Sequence, residues 1–199
     1  EKFENLEIGV KWDPTARLSL TAAAYQLDRF NQAITDPAAG SPGGPPVGTL
    51  MLVDGQQTRG LELGASGKIT EKWTLSSGYA YQDGETQSAN GTLPAGARIA
   101  QLPRNSLSLW NRYDFNATWG AGLGALYRDE LFAAADNAVT LPGYVRFDAA
   151  LFYQVNARLR AQLNVENLFD RAYYATAHNN NNITPGSPLA LRLGVTARF

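Results

Sequence analysis

The chain has 199 residues, 44% of them apolar and 18% charged, with 19 Gly, 9 Tyr, 4 Trp, no Cys and a formal net charge of −1. No apolar run approaches the roughly 18 residues that a membrane-spanning helix needs, and the near-zero charge offers no basic field for nucleic acid. The missing cysteines exclude disulfides, thiolate metal sites and cysteine nucleophiles.

Period-two alternation of apolar side chains predicts nine strands, each with one face against a nonpolar medium. The first carries Leu6, Ile8, Val10 and Trp12, and the second Leu18, Leu20, Ala22 and Ala24. The third runs Leu61, Leu63, Ala65, Gly67, Ile69, and the fourth Trp73, Leu75, Ser77, Tyr79, Tyr81. A fifth, Leu107, Leu109, Tyr113, is the least regular, because Trp110 and Asn111 fall on the wrong faces for a simple pattern. The sixth sets Trp119, Ala121, Leu123, Ala125 and Tyr127 against Gly120, Gly122 and Gly124. Val145 to Val155 and Leu159 to Val165 supply the seventh and eighth, and Leu189 to Phe199 the last and cleanest.

A soluble β-sandwich also alternates, so the connections must decide. Asp13–Ala16, Thr70–Lys72, Asp114–Thr118 and the turn at Asn156 are short, whereas residues 30–55, 83–103, 129–143 and 170–188 are long and rich in Gly, Pro, Asn and Ala. Strict alternation of short and long is the habit of an all-β transmembrane antiparallel β-barrel, with tight periplasmic turns and long extracellular loops. Trp12, Trp73, Tyr113, Trp119, Tyr153 and Phe199 fall beside short turns or at the C-terminus and predict one periplasmic aromatic ring, while Tyr79, Tyr81, Tyr127 and Phe147 predict the outer girdle. An odd count of nine cannot close a bacterial single-chain barrel. The first strand would also show a bare edge to lipid. With no Met, basic n-region or apolar h-region at Glu1, residues 1–199 are expected to be the C-terminal part of a larger barrel.

Gly120-Ala-Gly122-Leu-Gly124-Ala125 matches a dinucleotide-binding spacing but lacks the strand-then-helix context, so its glycines read as small lumen-facing residues. His178, the only histidine, excludes multi-histidine zinc sites, and no acid pair or Ser/His set suggests catalysis. It reads either as a solvated loop side chain or as a polar contact at the extracellular mouth. Arg146, Arg158, Arg160, Arg192 and Arg198, with Asp148 and Glu166, are expected to form ion pairs across the lumen wall or to meet a domain plugging it. The N-x-T sequons at Asn90, Asn116 and Asn182 read as chance matches.

Four stretches resemble the C-terminal part of TonB-dependent outer-membrane receptors, above all the siderophore receptors. They are Leu102-Pro103-Arg104-Asn105-Ser106-Leu107-Ser108-Leu109-Trp110, Leu141-Pro142-Gly143-Tyr144, Val165-Glu166-Asn167-Leu168-Phe169-Asp170-Arg171-Ala172-Tyr173-Tyr174, and the ending Arg198-Phe199. Residues 178–188 resemble the last loop of receptors for catecholate-type chelates. The resemblance implies a plugged barrel of about 22 strands whose plug and TonB-contacting segment lie outside residues 1–199. It implies active uptake of a ferric siderophore in the outer membrane, with no catalysis and no resident cofactor. Implied partners are the iron chelate, TonB through the N-terminal region, the lipid bilayer, and the barrel-assembly machinery through the strand ending at Phe199, with the receptor acting as a monomer. Loop aromatics suit aromatic chelate faces, and Arg or Asn suit anionic and carbonyl oxygens, so Tyr173, Tyr174, His178 and Asn180, then Arg128 and Arg98, are the expected ligand contacts. Cobalamin, heme or a saccharide as cargo, and a passive porin or autotransporter barrel, are the alternatives.

Overall fold

The computed structural model describes residues 1–36, 38–89 and 94–199; the sequon at Asn90 lies outside the described residues. The first half of the chain forms β1 (Lys2–Thr15), β2 (Leu18–Phe30), β3 (Gln32–Thr35), β4 (Leu50–Val53), β5 (Gln56–Lys68) and β6 (Trp73–Thr86). There follow β7 (Asn105–Asp114), β8 (Trp119–Arg128), β9 (Leu131–Phe132), β10 (Thr140–Leu141) and β11 (Tyr144–Gln154). The last four are β12 (Leu159–Glu166), β13 (Tyr174–Asn179), β14 (Asn182–Pro185) and β15 (Ala190–Ala197).

All nine expected strands pair into a single sheet in the order β1-β2-β5-β6-β7-β8-β11-β12-β15, each neighbour antiparallel. Register carries one face unbroken across it: Trp12, Leu20, Ala65, Ser77, Leu109, Ala125 and Phe147 form one row of paired positions. That face stays open, with Ile8 77% and Leu193 73% exposed. A sandwich would bury such residues against a second sheet, and a continuous exposed apolar face calls for lipid.

Three of the short turns share one construction. Thr70 Oγ1 accepts from the Lys72 and Trp73 amides, Asn116 Oδ1 from Thr118 and Trp119, and Asn156 Oδ1 from Arg158 and Leu159. A side-chain oxygen thus satisfies the amides that a five-residue reversal leaves free. The first turn is tighter than expected, since β1 runs through Asp13 to Thr15 with a register shift after Trp12. The long connections are not structureless: three contain the hairpins β3–β4, β9–β10 and β13–β14.

The irregular fifth strand has a physical reason. Asn111, on the outer face, accepts the Trp73 indole N–H at 3.1 Å, so a polar residue at the rim is satisfied by the aromatic ring beside it. Trp110 faces the lumen, where its ring covers Gly122 and Gly124 of β8. A Cβ at either Gly122 or Gly124 would come within 2.5 Å of that ring. The space those glycines leave is therefore filled by the neighbouring strand. Gly60 under Tyr25 repeats the arrangement.

Gly122→Val should cost about 2 kcal/mol through overpacking against Trp110. Adding Trp110→Leu should recover part of that loss, as measured by urea unfolding in phospholipid vesicles.

Candidate functional site

The long-loop end of the wall is organised around Asn167, which is 1% exposed and adopts a left-handed backbone (φ 53°) that asparagine tolerates better than most residues. Its Nδ2 donates to the carbonyls of Arg171 and Ser187, and its Oδ1 accepts from the Arg171 amide, each at 2.9 Å. Its own amide donates to Asp148 Oδ1. One carboxamide thus ties the end of β12 to both roots of the last loop. Asp170 (φ 47°) adds a second tie by accepting from the Leu189 amide at 2.8 Å.

Above this knot, residues 142–144, 170–174 and 185–188 enclose a cleft of about 520 Å³. Tyr173 lines it, its ring stacked on Tyr144 at 4.4 Å between centroids and lying over Gly186, where a Cβ would collide with it. The Tyr173 hydroxyl accepts from Arg146 Nη1 at 2.8 Å. Tyr174 lines the same cleft and is 47% exposed. Arg128 stands behind it, with its guanidinium 4.9 Å from the Tyr144 ring centroid and both Nη atoms donating to the carbonyls of Tyr174 and Ala175. Those donors fasten the β13 backbone.

Besides Arg128, which flanks the cleft without lining it, three expected contacts lie outside. His178 is exposed near the tip of the β13–β14 hairpin, and Asn180, in the tip, donates to Asp136 Oδ2 at 2.7 Å. Arg98, on the β6–β7 connection, is clamped at both backbone groups by Asn137 and stacks its side chain on Phe132. Arg98 and Arg104 line a separate depression with Asp129, Glu130 and Gly143. The structure brings Tyr173, Tyr174 and Arg128 together, and links Asn180 to Arg98 only through residues 136–137.

Tyr144 and Arg146, neither of them among the expected contacts, hold the cleft in shape: Tyr144 lines it and Arg146 bonds Tyr173 from behind. Arg146 bonds Asp148 at 2.8 Å and Glu166 at 3.1 Å as well as Tyr173, and Glu166 also meets Arg192 at 3.3 Å. The expected ion pairs form there. For Arg158, Arg160 and Arg198 they do not, among the described residues: these three stand at the opposite end of the strands, beyond reach of Glu166 and Asp148. At the loop end, Asp129 lies partly buried, which pushes its pKa up. Hydrogen bonds from Tyr127 and Asn105 and the charge of Arg98 outweigh that and hold it below the ordinary carboxylate value.

The family described as TonB dependent receptor-like, beta-barrel, matches residues 1–168. The chain belongs to this family. Its sheet is accordingly a wall of an outer-membrane β-barrel, with the short turns at the periplasmic rim and the cleft at the extracellular mouth. The probable TonB-dependent siderophore receptor PiuA of Acinetobacter baumannii is 31% identical over the whole chain, and its crystal structure superposes on 98% of the chain with a TM-score of 0.85. The catecholate siderophore receptor Fiu of Escherichia coli K12 is 30% identical over the whole chain, and its closed form, described as a ferric-catecholate import receptor, also gives 0.85. The metal-pseudopaline receptor CntO of Pseudomonas aeruginosa PAO1 is 31% identical. All three are receptors by name. The chain spans 27%, 26% and 28% of their respective lengths.

Asn167→Ala should destabilise the extracellular end by about 3 kcal/mol, combining unpaired carbonyls with left-handed strain; Asn167→Gly, which relieves the strain, should cost about 2. Urea unfolding of the two variants separates the contributions. Because the Asp129 pKa is lowered on folding, its contribution is present above the unfolded value of about 3.9 and is lost as pH falls through the folded value. Amide-exchange protection at the extracellular ends of β7 and β8 should hold from about pH 7 to 5 and decline only below about 4, and Asp129→Ala should remove that acid step.

Proposed function

We propose that the complete protein is an outer-membrane receptor for TonB-dependent active uptake of a ferric siderophore, with a catecholate-type chelate as the favoured cargo. The observation that carries this reading is the cleft at the extracellular mouth. Tyr173 and Tyr174 offer aromatic faces, and Arg128 and Arg146 stand beside them on the lumenal side. An aryl chelate ring would stack on the tyrosines. Its anionic oxygens would meet Arg171 at the cleft lining and the polar side chains of His178 and Asn180 on the hairpin rooted in that lining. The resemblance to PiuA and Fiu supports the same cargo class.

In this proposal residues 1–199 supply the C-terminal strands of a plugged barrel of about 22 strands, and the plug and TonB-contacting segment belong to the remainder of the protein. TonB, drawing on the inner-membrane proton gradient, rearranges the plug, and iron stays within its chelate throughout. No bond in the cargo breaks, so no residue here acts as a catalyst and no resident cofactor is required. The strand ending at Phe199 is the element offered to the barrel-assembly machinery, and the receptor works as a monomer.

A deletion strain starved of iron should lose growth on one or more catecholate siderophores from a purified panel that also includes metal-pseudopaline, and regain it with the full-length gene. The same gene carrying Tyr173→Ala with Tyr174→Ala should bind that chelate about thirtyfold more weakly, the usual cost of removing aromatic anchors. A strain that needs the gene only for metal-pseudopaline sinks the catecholate assignment, and one that needs it for no chelate sinks uptake of iron altogether.

A further inference from the structure

A cluster of buried apolar residues lies in the extracellular loops. Leu131, Ala133 and Leu141 of the β8–β11 connection are each at most 2% exposed and pack with Ala177 of β13, flanked by Val139 and Ile183. Leu131 and Leu141 are, with Asn167, the largest fully buried side chains.

A third loop meets this cluster. Gln101, on the β6–β7 connection, takes a left-handed backbone (φ 61°) uncommon for a non-glycine side chain. Its amide donates to the Phe132 carbonyl at 3.0 Å and its Nε2 to the Ala133 carbonyl at 2.8 Å. Its Oε1 accepts from Thr176 Oγ1 at 3.2 Å and from the Ala177 amide at 3.4 Å. One carboxamide therefore spans three connections that are remote in sequence. Asn137 and the Asn180–Asp136 bond reinforce the same junction from its outer side.

We propose that Gln101 is a positioning residue that locks residues 98–104, the β8–β11 connection and the β13–β14 hairpin together and sets where the hairpin presents His178 and Asn180 to a ligand. A backbone held away from its preferred region persists only where the surroundings over-determine it, and here they do so through bonds to two other loops. Loops fastened in this way move together. Losing the Gln101 bonds leaves the hairpin held at its base by Arg128, at its tip by Asn180 and by the packing of Ala177, and so widens the range of positions it takes. The ligand-presenting half of this inference rests on the reading of the cleft as a chelate site.

The test uses the full-length receptor in nanodiscs with spin labels on Thr140→Cys and Thr184→Cys, both exposed positions. Gln101→Gly keeps the left-handed backbone free of strain and removes the side chain with its carboxamide, while the backbone amide that meets Phe132 stays. It should broaden a narrow label-to-label distance distribution measured without any ligand. It should also raise the KM for uptake of the ferric tris-catecholate complex about tenfold while leaving the maximal rate and the barrel's unfolding midpoint unchanged, since the loss is of loop ordering alone. Gln101→Glu, which retains the acceptor toward Thr176 and Ala177, should broaden the distribution less. An unbroadened distribution in Gln101→Gly overturns the lock. A broadened one with unchanged KM overturns the positioning role if Tyr173→Ala raises KM in the same assay. If Tyr173→Ala also leaves KM unchanged, the lock stands and the chelate reading of the cleft is what fails.

Discussion

Lipid offers no hydrogen-bond partner, so every N–H and C=O that crosses the hydrocarbon must be satisfied by a neighbouring strand. An orphaned group costs several kcal/mol, whereas a favourable cross-strand side-chain pair contributes about 0.2–1 kcal/mol. The ladder therefore takes precedence over side-chain packing. It explains why nine strands join edge to edge from β1 to β15, with a single register shift after Trp12, and why side chains are left to sort into two faces with different solvents. Outer residues need only be apolar, and they stay exposed. Inner residues must fit one another, and the fit is made between strands: Trp110 over Gly122 and Gly124 and Tyr25 over Gly60 on adjacent strands, and, across β8, Arg112 with its guanidinium 4.2 Å from the Phe152 ring centroid.

That division governs what could be read from the sequence. Period two is imposed by the pleat and repeats along every strand, so the nine strands, the short turns and the rim aromatics Trp73, Trp119 and Tyr153 were all legible. Trp119 and Tyr153 pair directly, with ring centroids 4.4 Å apart. Trp110 and Asn111 looked misplaced because alternation describes one strand, whereas their partners, Gly122 with Gly124 and Trp73, belong to the strands on either side. The same blindness hid the loop hairpins. β9 and β10 are two residues each, too short for a period to register, and their stability comes from Ala177 and Ile183 more than thirty residues on. Gln101 carries no local signal at all, since its role exists only once three loops meet.

Three of the four stretches that resemble a receptor family are joints. In Leu102-Pro103-Arg104-Asn105, Asn105 accepts from the Tyr79 hydroxyl and donates to Asp129, while Arg104 pairs with Asp83 at 3.1 Å, binding the extracellular ends of β6, β7 and β8. Gly143 allows the chain to pass close to the Arg128 carbonyl, where a Cβ would come within 2.8 Å. Asn167 and Asp170 fold the last loop back over the wall. Such residues sit where the ladder ends and backbone groups lose their partners, so side chains must replace them. A motif of this kind reports how a barrel is finished at its rim, and says little about the cargo.

The cleft inherits its character from the same economy. Tyr173 is held by Tyr144, Gly186 and Arg146, and Arg146 simultaneously serves Glu166 and Asp148 on the inner wall. The aromatic floor at the mouth and the charged lumen below it thus share one guanidinium, and the root of the last loop cannot shift without redistributing bonds on the surface that faces the barrel interior. Glu166 passes the connection to Arg192 of β15. Loop, cleft and wall are consequently one hydrogen-bonded assembly on β11, β12 and β15, with the hairpin that carries His178 and Asn180 attached to it at its base by Arg128 and at its middle by Gln101.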